Sequence, residues 1–250
     1  MNYFISIIFL VFISFKSNAQ VNIRDSVETV WMINGGFAFH LPIGVMSERY
    51  GNSTNIFVGG SYKTKQNYWW GAEGGLFFSN IINENNLLEN LTNSSGFISS
   101  DDGTPVDLVL TERGLMFSAH VGKILPFKIY NKNSGIFLQL GAGYMQHKIR
   151  FDAKVGSLNR LQKPFSKGYD RLCSGLQLHQ QLGLIFLHNK RKFNFKAGLD
   201  LHQGFTRSRR TIDYDTGVYD ARKRVDVLIG PFFTWILPVY NKVENKIYYR

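Results

Sequence analysis

Cysteine is all but missing from this chain: Cys173 stands alone, so no intramolecular disulfide framework can staple the fold. Proline is scarce too, with 6 in 250 residues, which excludes long proline-rich linkers. Acidic side chains are the minority sign, 18 against 29 basic ones, for a net charge of +11. That surplus favours anionic partners such as phosphates on a membrane surface. After the first twenty residues no run of about 18 apolar side chains occurs, so no membrane-spanning helix is predicted. What the chain does have is 24 glycines and 15% aromatics, the materials of strands and tight turns.

The one long apolar run is "YFISIIFLVFISF", residues 3 to 15, which is too short to span a bilayer comfortably. Small residues follow at Ser17 and Ala19, with Gln20 next. This is the shape of a secretory leader cleaved after Ala19, although its front end lacks Lys and Arg. The expected organisation is therefore a signal peptide over 1–19 and one β domain over 20–250. Export makes nucleic acid an improbable partner in spite of the charge.

In "FNFKAGLDLHQGFT", residues 193 to 206, Phe193, Phe195, Ala197, Leu199 and Leu201 alternate with Asn194, Lys196, Asp200 and His202. Period-two alternation is the mark of a strand with one apolar and one polar face. The pattern recurs eight times along the chain. Turns near 65–67, 126–134 and 188–192 are short, whereas connections at 42–53, 79–111, 152–169 and 208–223 are longer and polar. Short turns at one end and long loops at the other characterise an outer-membrane barrel. Strands of ten or more residues also suit a tilted crossing, which needs about nine to eleven. Tyr62, Tyr68, Trp70, Phe186, Phe193, Phe233 and Trp235 fall near the short-turn ends, where an aromatic girdle would lie. The predicted fold is all-β: an eight-stranded antiparallel transmembrane barrel with short periplasmic turns and long extracellular loops. Lipid would meet the apolar face, and the polar face would line an interior that side chains can fill.

The segments "LGAGYMQHKI", "KGYDRL", "QGFTRSRR", "RKRVDVLIGPFFTWILPVY" and "KIYYR", with the leader's Ala-Gln ending, resemble those of small outer-membrane β-barrel proteins of Bacteroidota. The resemblance covers essentially the whole mature chain and implies a porin-like eight-stranded barrel in the cell outer membrane. The wider group includes accessory barrels of secretion and gliding machinery. The resemblance carries no catalytic motif onto this chain.

Five histidines (His40, His120, His147, His179 and His202) point inward by parity. A turn centred between Lys190 and Arg191 would pair His179 with His202 and Gln181 with Asp200. His179, His202 and Asp200 are thus candidate metal ligands. The reading favours a polar lumen network without metal or cofactor, in which Glu73, His120, Lys196, Asp200 and Asp226 neutralise one another. On the outer loops Arg207, Arg209, Arg210, Arg222, Lys223 and Arg224 flank Asp213, Asp215 and Asp220. Two outcomes follow for that segment: a charge-paired hairpin extending the last two strands, or contact with lipopolysaccharide phosphates or other envelope proteins. Leu87, Leu88, Leu91, Phe97 and Ile98 predict that the long loop 80–112 packs over the barrel mouth.

No catalytic residue is assigned. The favoured function is structural, through protein or lipid interaction in the outer membrane. A narrow channel or small-ligand barrel is the alternative. A lipid- or peptide-modifying enzyme comes third, because no motif joins Ser47, Ser157 or Ser166 to His40 or His147.

Overall fold

The computed structural model describes residues 27–84, 87–93, 97–100, 103–127, 131–155, 165–188 and 193–240. The predicted leader, Ser157 and the tail from 241 onward lie outside these. Eight strands are described: β1 (Val30–Ile43), β2 (Ser53–Lys63), β3 (Tyr68–Ser79), β4 (Asp107–Pro126), β5 (Gly135–Val155), β6 (Cys173–Leu187), β7 (Asn194–Ser208) and β8 (Lys223–Tyr240). Each pairs antiparallel with the next, and β8 returns to β1, so the sheet closes as an up-and-down barrel. Closure leaves no unpaired edge in the wall.

The alternation resolves as the sequence predicts. On β7, Phe193 and Leu199 are exposed, while Asn194, Lys196, Asp200 and His202 are buried. The outer wall is apolar along every strand: Trp31, Ile56, Leu76, Phe117, Leu138, Leu176, Leu199 and Trp235 all stand exposed. At the short-turn end the aromatics touch. The rings of Trp31 and Tyr62 lie 4.9 Å apart and those of Tyr62 and Trp70 5.9 Å. Phe195 stacks on both Phe186 and Phe233, and Lys123 lies 4.4 Å over the Tyr68 ring.

The interior departs from a purely polar lumen. Near the short turns Met32, Phe57, Trp69, Phe137, Phe232 and Ile236 form one buried apolar layer. Near the long loops Met46, Tyr50, Phe77, Met116, Met145 and Leu228 form another. Glu73, His120, Lys196 and Asp200 lie between them, whereas Lys63 is buried beside Asn133 at the short-turn end and Glu112 and Asp226 meet His147 among the upper apolar residues. An eight-stranded barrel is narrow enough to be filled by side chains, and close packing demands bulk wherever charges are not paired. Backbones approach closely where Gly183 faces Gly198 across β6 and β7. A Cβ on Gly183 would sit 2.2 Å from the Ala197 carbonyl oxygen, so only glycine fits.

The long-loop end differs from the sequence reading in three places. Residues 45–49 form a short helix, α1 (Val45–Arg49), whose Met46 plugs the upper layer. Residues 107–112, read as loop, belong to β4; their successive apolar residues hide the alternation, and five of them extend past β3. The β7–β8 ladder ends at the Arg207–Lys223 pair, so residues 209–222 do not continue the hairpin. Their carboxylates pair mainly with Arg171 of the preceding loop.

Candidate functional site

The register of β6 and β7 places His179 opposite His202 and Gln181 opposite Asp200. Between the two apolar layers these residues meet groups from across the lumen. Asp200 Oδ1 lies 2.7 Å from His179 Nε2. Its Oδ2 lies 3.2 Å from Nε2 of both His202 and His40. His202 stacks on His179 with ring centroids 4.2 Å apart and planes 7° apart, and meets His40 edge-on at 5.3 Å. On its far side His179 Nδ1 lies 3.1 Å from Ser118 Oγ and 3.2 Å from Glu73 Oε1. Glu73 Oε2 is 3.9 Å from His120 Nδ1. Lys196 Nζ reaches the side-chain oxygens of Gln139 at 3.4 Å and Gln181 at 3.5 Å.

Glu73, His120, Lys196 and Asp200 therefore share one buried layer. Asp226 sits one level nearer the loops. Its Oδ2 is 3.0 Å from His147 Nε2 and accepts a bond from Thr206. The ladder explains the separation, since Asp226 faces Gly204 whereas Asp200 faces Gly230. The two candidates called metal ligands on β7, Asp200 and His202, converge with His40. His179 instead holds the other oxygen of Asp200. Parity had placed His40 inward, but β1 and β7 are separated by β8 and no local spacing in the sequence sets them face to face.

Ser118, His179 and Asp200 form a chain of hydroxyl, imidazole and carboxylate. All three are at most 2% exposed, so no substrate carbonyl can approach the hydroxyl. His40 and His147 are engaged by Asp200 and Asp226, and Ser47 donates to the Gly44 carbonyl at 2.7 Å. The described residues thus join neither histidine to Ser47.

The charged loops form a cap. Arg171, in a left-handed conformation with φ 49°, pairs with Glu84 at 2.9 Å, with Asp215 at 2.9 Å and with Asp213. Arg49 on α1 takes the other oxygen of Glu84 at 2.8 Å. Asp215 also accepts the Leu88 amide, and Asn90 bonds Tyr169 and the Tyr214 carbonyl. Leu88 is buried and Leu87 packs on the upper layer, as the loop's apolar content predicted, but Phe97 stays exposed. Burial pushes the Asp215 carboxyl up against the pull of Arg171 and the Leu88 amide. Burial also works against ionisation of Asp220. There the hydrogen bonds from Arg222, with the charges of Arg224 and Arg222, prevail and bring it down to about 2.

The six basic residues singled out from the loop divide. Arg210 grips Asp170, Arg209 bonds Ser174, Arg222 pairs with Asp220, and Arg224 pairs with Asp220 and reaches Cys173 Sγ at 3.2 Å. Arg207 and Lys223 face each other across β7 and β8 on the outer wall, both exposed. Directly below them stand exposed Leu176, Phe205 and Val225. The space among Arg49, Arg171, Cys173, Arg210 and Arg224 is about 10 Å³, one water's worth, so no organic ligand is accommodated there. The latch residues Glu84 and Arg171 lay outside the sequence reading. Single charges in polar loops give no periodic signal.

No protein-family model matches the sequence, and no curated protein matches it. Several solved structures do. The attachment invasion locus protein Ail of Yersinia pestis, crystallised with the heparin analogue sucrose octasulfate, is 12% identical with a TM-score of 0.41. That match covers 84% of this chain and 98% of Ail. Neisserial surface protein A is 10% identical with a TM-score of 0.43, over 82% of this chain and 96% of its own. The outer membrane protein OprG of Pseudomonas aeruginosa is 11% identical with a TM-score of 0.36, over 87% and 99%.

Proposed function

We propose that this chain is an integral outer-membrane β-barrel, exported by a leader removed after Ala19, whose role is interaction and not catalysis. One observation carries the reading: every strand exposes large apolar side chains on the outer wall, while Glu73, Lys196, Asp200, Asp226, His40, His120, His147, His179 and His202 are buried inside. In water that inversion would be prohibitive. Leaving roughly 1,000 Å² of apolar wall wet would forgo about 25 kcal/mol, more than a domain's net stability of about 5–15 kcal/mol. In a bilayer the same wall is solvated by acyl chains, and the closed ladder bonds its backbone strand to strand all round the ring.

The short turns then face the periplasm and the cap faces outward. Arg207 and Lys223 stand over the apolar wall where lipid headgroups begin, a geometry suited to lipopolysaccharide phosphates, since guanidinium pairs bidentately with phosphate. The cap, held together by the Arg171 latch, leaves Phe97, Val218 and Tyr219 exposed, a surface for another envelope protein. The affinity with Bacteroidota barrels, and with secretion or gliding accessories among them, rests on the segments quoted from the sequence. The filled interior weighs against a conduit.

The test is extraction of native envelopes. The mature protein, beginning at Gln20, should stay with the pellet in alkaline carbonate and urea and leave only with detergent. Recovery in the soluble fraction without detergent would overturn the proposal.

A further inference from the structure

His40 on β1 and Asp200 and His202 on β7 are all buried and bring three donor atoms together over β8, where Gly230 carries no side chain between them. All three atoms lie within 4.8 Å of one another, and both imidazole Nε2 atoms are 3.2 Å from Asp200 Oδ2. Donors on a common metal at about 2.1 Å are separated by about 3.0 Å in octahedral and about 3.4 Å in tetrahedral geometry. The two spacings to Asp200 Oδ2 fall between. They are long for a charge-assisted hydrogen bond, whose nitrogen–oxygen distance is about 2.7–2.9 Å. The His179–Asp200 contact, at 2.7 Å, is such a bond, so the layer contains both kinds of spacing side by side.

We propose that His40, Asp200 and His202 bind one divalent transition-metal ion of the zinc, cobalt or iron(II) kind. Two imidazoles and one carboxylate suit these borderline ions and not magnesium or calcium, which prefer oxygen ligands. His179 would serve as support. Its Nε2–H donates to Asp200 Oδ1 and leaves Oδ2 free for the ion, as a partner behind a metal-binding carboxylate does. Neither His40 Nδ1 nor His202 Nδ1 has a hydrogen-bond partner among the described residues. Their rings are oriented instead by stacking, His202 on His179 and His40 edge-on to His202.

Charge favours a cation here. The layer holds two carboxylates, Glu73 and Asp200; Lys196 and, when protonated, His179 between them are their cations, while Asp200 Oδ2 faces only His40 and His202. A bound ion would tie β1 to β7 over the intervening β8, two strands that share no ladder. Because apolar layers close the lumen on both sides, the ion would enter as the barrel forms.

The full mature chain should be refolded into detergent with Co²⁺ or Zn²⁺ present, desalted and analysed for metal, with folding followed separately by heat-modifiable mobility. The expected result is about one ion per folded chain and, for Co²⁺, visible absorption of a nitrogen- and oxygen-ligated site. His40→Ala and His202→Ala should each lose it, while His147→Ala and His188→Ala keep it. Folded wild-type barrel with no metal above the buffer blank would overturn the proposal, as would retention of metal by both of the first two variants. If those variants do not fold, the wild-type stoichiometry and its absorption spectrum decide.

Discussion

Replacing Arg171 with alanine should open the cap without opening the barrel. The guanidinium is 11% exposed and faces three carboxylates, Glu84, Asp213 and Asp215, themselves 5–20% exposed. Exposed ion pairs contribute below about 1 kcal/mol, and breaking a fully buried one costs about 3–5 kcal/mol. This partly buried cluster falls between, at about 2 kcal/mol, or roughly a thirtyfold rise in the population of opened loops. The opening is local, because the strands keep their own ladders.

Hydrogen exchange of the refolded barrel, corrected for intrinsic rates, reads it directly. Peptides containing the Leu88 amide, bonded to Asp215, and the Tyr214 amide, bonded to the Gly168 carbonyl, should exchange about thirtyfold faster. Strand peptides should not change. The pH dependence has a definite sign. Burial already raises the Asp215 carboxyl above its ordinary value, and loss of Arg171 removes the charge that opposes this. Its ionised form is then the destabilising one, so protection in the variant should recover as pH falls and worsen as pH rises. Unchanged loop protection, or a loss spread evenly over the strands, would refute this account of the cap.

Three further outcomes are expected. Phe137→Ala removes a fully buried ring packed 5.5 Å from Trp69 and 6.2 Å from Phe232, and should destabilise the folded barrel by about 3–5 kcal/mol in urea titrations, where an unchanged midpoint would contradict the lower layer. Gly183→Ala puts a methyl against the β7 backbone and should cost about 1–3 kcal/mol or prevent closure, whereas Gly35→Ala, with open space at its Cβ, should fold normally on the same gel-shift assay. The Asp220 carboxyl is held at about 2, so its contribution to loop order is complete above its ordinary value of 3.8 and is lost as pH falls through 2; proteolysis by an acid-stable protease should cut residues 209–222 faster only in that window.

Strand identity and facing were legible because a closed wall with an inside and an outside imposes period two on every strand, and β7 displays it over its whole length. The short connection expected between β6 and β7 made one register legible as well, and with it the His179–His202 pair. Two kinds of information were missing. Contacts across the lumen, such as Glu73 with His179, depend on strand tilt and closure, which no single strand encodes. Contacts between loops, such as Arg171 with Glu84, depend on irregular backbone and single charges. The inward apolar residues Trp69, Phe137 and Phe232 also passed unread, since in any one strand they interrupt the polar face and only the closed ring shows that they meet.

β4 and β5 continue their mutual ladder beyond the points where β3 and β6 leave them. Leu108 to Thr111 still pair with Arg150 to Ala153, above the Ser79–Glu112 and His147–Cys173 limits of the neighbouring ladders. At about 3.3 Å per residue that two-stranded ribbon runs roughly 13 Å along its own direction past the last pairs of its neighbours. In the proposed orientation the upper margin of the wall is uneven, and the cell would present this strand pair outward with the loops that lean against it.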